Sequence, residues 1–219
     1  DGASALRVDG YVGGTLTFPS QMFGLFNNNQ VYRRIVDSSS EHVTIHQQGD
    51  DPMGAASLLD GMAGPFELGQ RYVVVATGHL ASDGAISSGS IMTVNHDLPI
   101  RNDDEDDTYI RFVHAAPRLP ATVDLGYRTG ARMRTGGGLF SGVRLGESSA
   151  AGGSVISGSE DATLAVTTAG SDLAEFPFGS YPIRSSARYL AVLVGAASDA
   201  HANTYRLVLF QPWTEVQFG

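Results

Sequence analysis

The chain has no cysteine, and its 14 basic residues are all arginine; there is no lysine. The first absence excludes disulfides and thiolate metal sites. The second excludes a lysine Schiff base, a Walker-type phosphate lysine and the lysine-to-asparagine isopeptide staples of some surface pilins. Whatever holds this fold together is non-covalent. Long apolar runs are also missing: the longest, Tyr189 to Val194, is strand-sized, far short of the roughly 18 residues a bilayer-spanning helix requires. Positive charge is scarce, with a net charge of -9 and a pI near 4.9, so phosphate-rich partners such as nucleic acid or an anionic membrane would be repelled. Helix-forming composition is confined to Gly54 to Met62, which is long enough for a turn or two.

What is present is all-β punctuation. Short segments rich in Val, Ile, Tyr, Phe and Thr are bounded by Gly, Ser, Asn or Asp. Strands are expected over Ala5 to Val8, Thr15 to Phe18, Gln30 to Val36, His42 to Gln47, Gln70 to Thr77 and Ser88 to Val94. The second half adds Thr108 to His114, Val123 to Tyr127, Ala131 to Arg134, Gly153 to Ser157, Ala162 to Thr168, Arg188 to Val194 and Tyr205 to Phe210.

The two halves repeat. Ser38-Ser39-Ser40-Glu41-His42-Val43-Thr44-Ile45 matches Ser157-Gly158-Ser159-Glu160-Asp161-Ala162-Thr163-Leu164. Arg71-Tyr72-Val73-Val74-Val75-Ala76-Thr77-Gly78 matches Arg188-Tyr189-Leu190-Ala191-Val192-Leu193-Val194-Gly195, and Ala81-Ser82-Asp83 matches Ala197-Ser198-Asp199. At 219 residues the chain has room for two such domains. The expected organisation is two tandem immunoglobulin-like β-sandwich domains, 1–100 and 108–213. An acidic linker, 101–107, joins them, and a C-terminal strand, 214–219, follows.

The stretch Thr108 to Asp124, TYIRFVHAAPRLPATVD, alternates Ile110 and Phe112 against Tyr109, Arg111 and Val113, the pattern of a half-buried strand that Pro117 and Pro120 terminate. With Leu125 and Tyr127 it resembles the opening motif of the bacterial domain-of-unknown-function family 4397. That motif is an arginine-containing strand, a His-Ala-Ser-Pro-like turn and a Val-Asp-Val-Tyr strand. Here His114-Ala115-Ala116-Pro117 forms the turn, with Ala116 where serine is usual. Tyr72 to Gly78 is similar to the family's closing half, and the likeness covers the second repeat more fully than the first, which joins it from about Ala5. The resemblance implies an exported, β-sandwich-like protein, often in tandem and with no established activity.

Superposing the repeats sets Ser38 opposite Ser157, an offset of 157 - 38 = 119, and places Asp1 opposite Pro120. The first domain therefore lacks an equivalent of Thr108 to Leu119. A sandwich strand of this kind buries about three large apolar side chains at about 1.5–3 kcal/mol each, against a domain stability of about 5–15 kcal/mol. Thr214-Glu215-Val216-Gln217-Phe218 matches Thr108-Tyr109-Ile110-Arg111-Phe112 in its threonine, its β-branched residue and its phenylalanine. That tail closes the first domain either in cis, giving a monomer, or in trans, completing the next molecule in a head-to-tail filament. Its reach of roughly 30 Å after Phe210 favours trans. The expected subunit interface is Trp213, Thr214, Val216, Phe218 and Gly219, with identical subunits as partners and a surface glycan as the alternative partner. The opening residue, Asp1, suggests a processed chain exported through a cleaved signal to the cell surface or beyond.

Candidate chemical sites weigh little beside this. His42 and His46 share one face of a strand and are expected to face solvent; a third ligand would be needed for a metal. His114 is expected to hydrogen-bond its loop backbone. Asp103, Asp104, Glu105, Asp106 and Asp107 offer hard oxygen ligands for calcium, but not at EF-hand spacing, and a solvated linker is the simpler expectation. Asp83 and Asp199 are expected to cap equivalent turns. There is no Gly-x-Ser-x-Gly elbow, and Gly136-Gly137-Gly138 has neither a helix nor a lysine after it, so it is expected to form a flexible turn. Trp213, Phe218 and Tyr11 would suit an aromatic sugar platform, although Trp213 is better placed as an anchor ahead of the tail. The expectation is a non-enzymatic protein without a cofactor.

Overall fold

The computed structural model describes residues 7–22, 39–70, 72–80, 86–95, 107–117, 119–129, 132–150, 154–157, 161–171, 176–182, 187–195 and 205–210. The described residues form strands and no helix, and the chain divides into two compact units, Asp1–Asn95 with Gly195–Thr204, and His96–Val194 with Tyr205–Gly219.

In the first unit β1 (Arg7–Val12), β2 (Thr15–Met22), β3 (Glu41–Gln47) and β4 (Leu59–Ala63) form an antiparallel sheet in the order β2-β1-β3-β4. A second sheet pairs β5 (Tyr72–Leu80) antiparallel with β6 (Ile86–Asn95). The helix expected over Gly54 to Met62 does not form. Residues Leu59 and Ala63 are buried while Asp60 and Met62 are exposed, and this alternation is a strand's. Gly61 is what commits the segment: a β-carbon there would lie 3.2 Å from Cγ1 of Ile91, so its bare backbone lets the two sheets approach. The small core consists of Val43, Ala63 and Phe66, with Val12, Tyr72 and Ile91 packed against it; the rings of Phe66 and Tyr72 meet edge to face at 5.2 Å.

In the second unit β7 (Asp107–His114), β10 (Ser154–Ser157), β13 (Arg188–Gly195) and β14 (Tyr205–Phe210) form one sheet, ordered β10-β7-β13-β14. The other contains β8 (Thr122–Thr129), β9 (Arg132–Arg144), β11 (Asp161–Thr168) and β12 (Phe176–Pro182), ordered β12-β11-β8-β9. One core joins them: Ile110, Phe112, Tyr189, Ala191, Leu193 and Leu207 from the first sheet meet Val123, Leu125, Val143, Leu164 and Val166 from the second. This unit is a β-sandwich. Gly136 to Gly138 are not a turn, because they lie inside β9, where Gly138 pairs with Gly126. Their lack of side chains disguises a strand that hydrogen bonds to β8 nonetheless hold. Strand β12 had no sequence expectation, its Pro, Gly and Ser reading as loop.

Candidate strand-acceptor site

One sheet of each unit has the same topology. Strand order β2-β1-β3-β4 in the first is the order β9-β8-β11-β12 in the second, with antiparallel pairing throughout. A carboxylate fixes the correspondence. On β1, Asp9 accepts hydrogen bonds from the Ser20 N–H at 2.6 Å and the Gly49 N–H at 3.3 Å. On β8, Asp124 accepts them from the Gly142 N–H at 2.6 Å and the Gly170 N–H at 2.9 Å. All four donors have positive φ: 54° at Ser20, 88° at Gly49, 68° at Gly142 and 81° at Gly170. Each aspartate thus holds a bulge on one neighbouring strand and the turn that follows the other. This clamp was missed in the sequence, although its trace is there in Val8-Asp9 and Val123-Asp124.

From these anchors the remaining positions follow. Phe18 pairs with Gly10, and Phe140 with Leu125, each two residues before its clamped partner, so Phe18 corresponds to Phe140. In the other sheet the Arg-Tyr start of the repeat equates β5 with β13, Tyr72 with Tyr189 and Val74 with Ala191.

The units differ beside that strand. In the second, β7 lies parallel to β13, with Tyr109 opposite Arg188, Ile110 opposite Tyr189 and Phe112 opposite Ala191. The Tyr109 N–H donates to the Ala187 carbonyl and the Ala115 N–H to the Leu193 carbonyl, both at 2.9 Å. On its other edge β7 meets β10 and the segment before it, where the Ser149 N–H donates to the Phe112 carbonyl at 2.7 Å. Ile110 and Phe112 are fully buried, and the Phe112 ring stacks on Phe140 at 6.3 Å with 17° between planes. In the first unit β5 pairs with β6 and, among the described residues, with no further strand.

Val74 registers the difference. It sits opposite Thr93, whose hydroxyl accepts the Gly64 N–H from the facing sheet at 2.7 Å, so this face of β5 points to the interior. Yet Val74 is 42% exposed, where Ala191 is 0% exposed. On this inner face Val74 is therefore less covered than its counterpart in the second unit.

The other expected site residues are scattered. His42 is exposed, and its Nε2 lies 2.8 Å from Oδ1 of Asp60. His46 is not solvent-facing: it is 3% exposed, with Tyr11 packed edge-on at 5.5 Å, and its Nδ1 has no hydrogen-bond partner among the described residues. Among the described residues no group of three or more ligating side chains gathers. His114 is buried and satisfied by its loop: Nε2 donates to the Pro120 carbonyl at 2.9 Å, and Nδ1 accepts from the Ala116 N–H at 3.4 Å. Burial pushes its pKa down, and the Pro120 bond offsets this in part. The Arg111 guanidinium is also buried and lowered by desolvation; it donates from Nη2 to the Ser148 hydroxyl at 2.9 Å. Asp103 to Asp106, Asp83, Asp199 and the interface residues Trp213, Thr214, Val216, Phe218 and Gly219 lie outside the described residues, as does the strand expected at Gln30 to Val36; Asp107 opens β7.

No family model matches the chain, and no curated protein does. Among solved structures it is similar to a carbohydrate-binding module of family CBM26 from Eubacterium rectale Amy13K, in complex with maltoheptaose. The identity is 9%, over 96% of this chain and 94% of that one, with a TM-score of 0.27. Likeness at that level carries no functional argument. No helix of the described residues is long and apolar enough to cross a membrane.

Proposed function

We propose that the protein is a non-enzymatic, exported structural subunit that assembles head-to-tail, the C-terminal strand 214–219 of one copy completing the first unit of the next. The observation that carries this reading is the contrast between the two units: β13 has β7 beside it and a closed core, whereas β5 has Val74 exposed on its inner face. A missing strand exposes backbone donors and acceptors as well as apolar side chains, and strand addition satisfies both. The match of Thr214, Val216 and Phe218 to Thr108, Ile110 and Phe112 supplies the donor. A surface fibre built this way suits a chain without cysteine or lysine, since its joints need no covalent staple. The resemblance to domain family 4397, read from the sequence alone, belongs to the same proposal, as does export.

Glycan binding by a monomeric surface module, with the tail closing the first unit in cis, is the second reading. It is favoured by the outer face of the first sheet, where half-buried Tyr11 lies opposite exposed Leu16 and Thr44, near the His42–Asp60 pair. An apolar ring flanked by polar groups is a usual sugar-binding surface. Electron microscopy and sedimentation of the full chain and of the chain lacking Thr214 to Gly219 separate the two. Fibres lost on truncation support strand donation; a monomer in both cases, binding maltoheptaose in a Tyr11-dependent way, supports the second reading.

A further inference from the structure

The sheet topology common to the two units carries opposite outer faces. In the first unit the register sets Leu16, Tyr11, Thr44 and Asp60 side by side across β2, β1, β3 and β4. Their chain neighbours Val12, Val43 and Leu59 turn toward the core, so this row turns away from it. The aspartate clamps map the row onto Gly138, Gly126, Ala165 and Pro177, side by side across β9, β8, β11 and β12. There Gly126 and Ala165 are buried. The same sheet therefore forms without large side chains on that row, and those of the first unit serve something other than the sandwich.

We infer that this transverse row is a binding site for a neutral oligosaccharide, which lies across the strands with apolar ring faces over Leu16 and Tyr11 and hydroxyls on Thr44 and Asp60. It deepens the glycan-binding reading and rests on it.

The row has an apolar end and a polar end. Leu16 is 47% exposed, and Tyr11 is half-buried with its ring and that of the buried His46 meeting edge to face at 5.5 Å. That contact holds the phenol in place, so little side-chain freedom is lost when a flat ligand settles beside it. At the other end Oδ1 of Asp60 lies 2.8 Å from Nε2 of His42, while Oδ2 bonds to nothing among the described residues. More than half of each of these two side chains is open to solvent. His42 thus orients the carboxylate and leaves one oxygen to accept from a ligand.

What the row offers selects the ligand. Sugars combine apolar ring faces with hydroxyls that donate, and an aromatic ring in line with a carboxylate acceptor meets both. Charge sets the sign: a free carboxylate oxygen in a chain of net charge -9 accepts from neutral hydroxyls and repels a uronate or a sulfate. Four adjacent strands span about 14 Å, a length that suits a short chain of sugar rings. A stable protein partner needs a face of roughly 800 Å², which a single row of four side chains does not supply.

Isothermal titration of the full chain with maltoheptaose, cellohexaose and an oligogalacturonate of similar length tests this. At least one neutral oligomer should bind and the acidic one should not. Leu16→Ala and Asp60→Ala, both at exposed positions, should each weaken the neutral ligand about tenfold while thermal unfolding stays unchanged. Asp60→Asn removes the charge but keeps an acceptor, and it should admit the oligogalacturonate, a gain that a merely structural role would not produce; continued exclusion overturns the role given to the charge. Neutral binding at parental affinity in both alanine variants places the sugar elsewhere and overturns this site, but leaves the glycan-binding reading standing. An acidic oligomer bound more tightly than the neutral ones overturns the ligand class. No oligomer bound overturns both site and reading, and self-association of the full chain that Leu16→Ala abolishes makes the row a contact between copies instead.

Discussion

Val74 and Ala191 occupy the same position in the two units, yet the first is 42% exposed and the second 0% exposed. The difference predicts opposite consequences for one substitution. Ala191→Asp buries a carboxylate in a dry core between Phe112 and Tyr189 and should cost several kcal/mol, enough to unfold the second unit. Val74→Asp leaves its charge in water and should change the stability of the isolated monomer by only about 0.5 kcal/mol. In assembly the ranking reverses, because the donor strand would desolvate that charge. Urea denaturation and sedimentation of the two variants check both halves. A Val74→Asp protein that assembles as the parent does would remove Val74 from the joint.

The paired aspartates give a second prediction. Each uses both carboxylate oxygens, one for the bulge and one for the turn, whereas asparagine offers one oxygen and a second group that only donates. Asp124→Asn therefore sets an amide against a backbone N–H and should destabilise the second unit by about 1–3 kcal/mol. Asp9→Asn should cost less, because its longer bond, 3.3 Å to Gly49, is weaker at the outset than the 2.9 Å bond to Gly170. Denaturant midpoints decide the order. Asparagine tolerated at 124 without loss would mean that the β8–β9 bulge is held by its flanking ladder alone.

Much of this architecture was legible in the chain because hydrophobic alternation and tandem repetition are both local signals. Strands β3, β6, β7, β13 and β14 fall within a residue or two of their expected bounds. Glycine at core positions blurs the pattern: β4 sets Gly61 between Leu59 and Ala63 on its inward face and reads as helix, and β9 runs through three glycines, so that only its start, expected over Ala131 to Arg134, reads as strand. Period two places His46 with His42 on a face expected to meet solvent, but alternation says only which face a residue shares, and here Tyr11 covers part of that face. The candidate site was half visible. The repeat is legible in the chain, whereas the correspondence of Phe18 with Phe140 needed the sheet order and the aspartate clamps, which relate residues far apart in the chain. The exposed backbone of an edge has no sequence signature of its own.

The last prediction concerns pH and follows from His114. Its imidazole is buried, neutral and held from both nitrogens, and desolvation sets its folded pKa below the ordinary value of 6.5. The unfolded chain has no such restraint and takes up a proton first as the pH falls. Between the unfolded and folded pKa values the unfolded state therefore binds more protons, so stability is full above about pH 6.5 and declines below it until the folded value is reached. Replacing the ring by an amide of similar reach, His114→Gln, keeps a donor for the Pro120 carbonyl and removes the titration. Stability of the second unit, measured by denaturant at about pH 7.5 and about pH 5, should fall in the parent and fall less in the variant. Because the other histidines are common to both proteins, the difference between their two pH profiles isolates the contribution of His114, and parallel profiles would show that the turn opens to solvent before the ring is protonated.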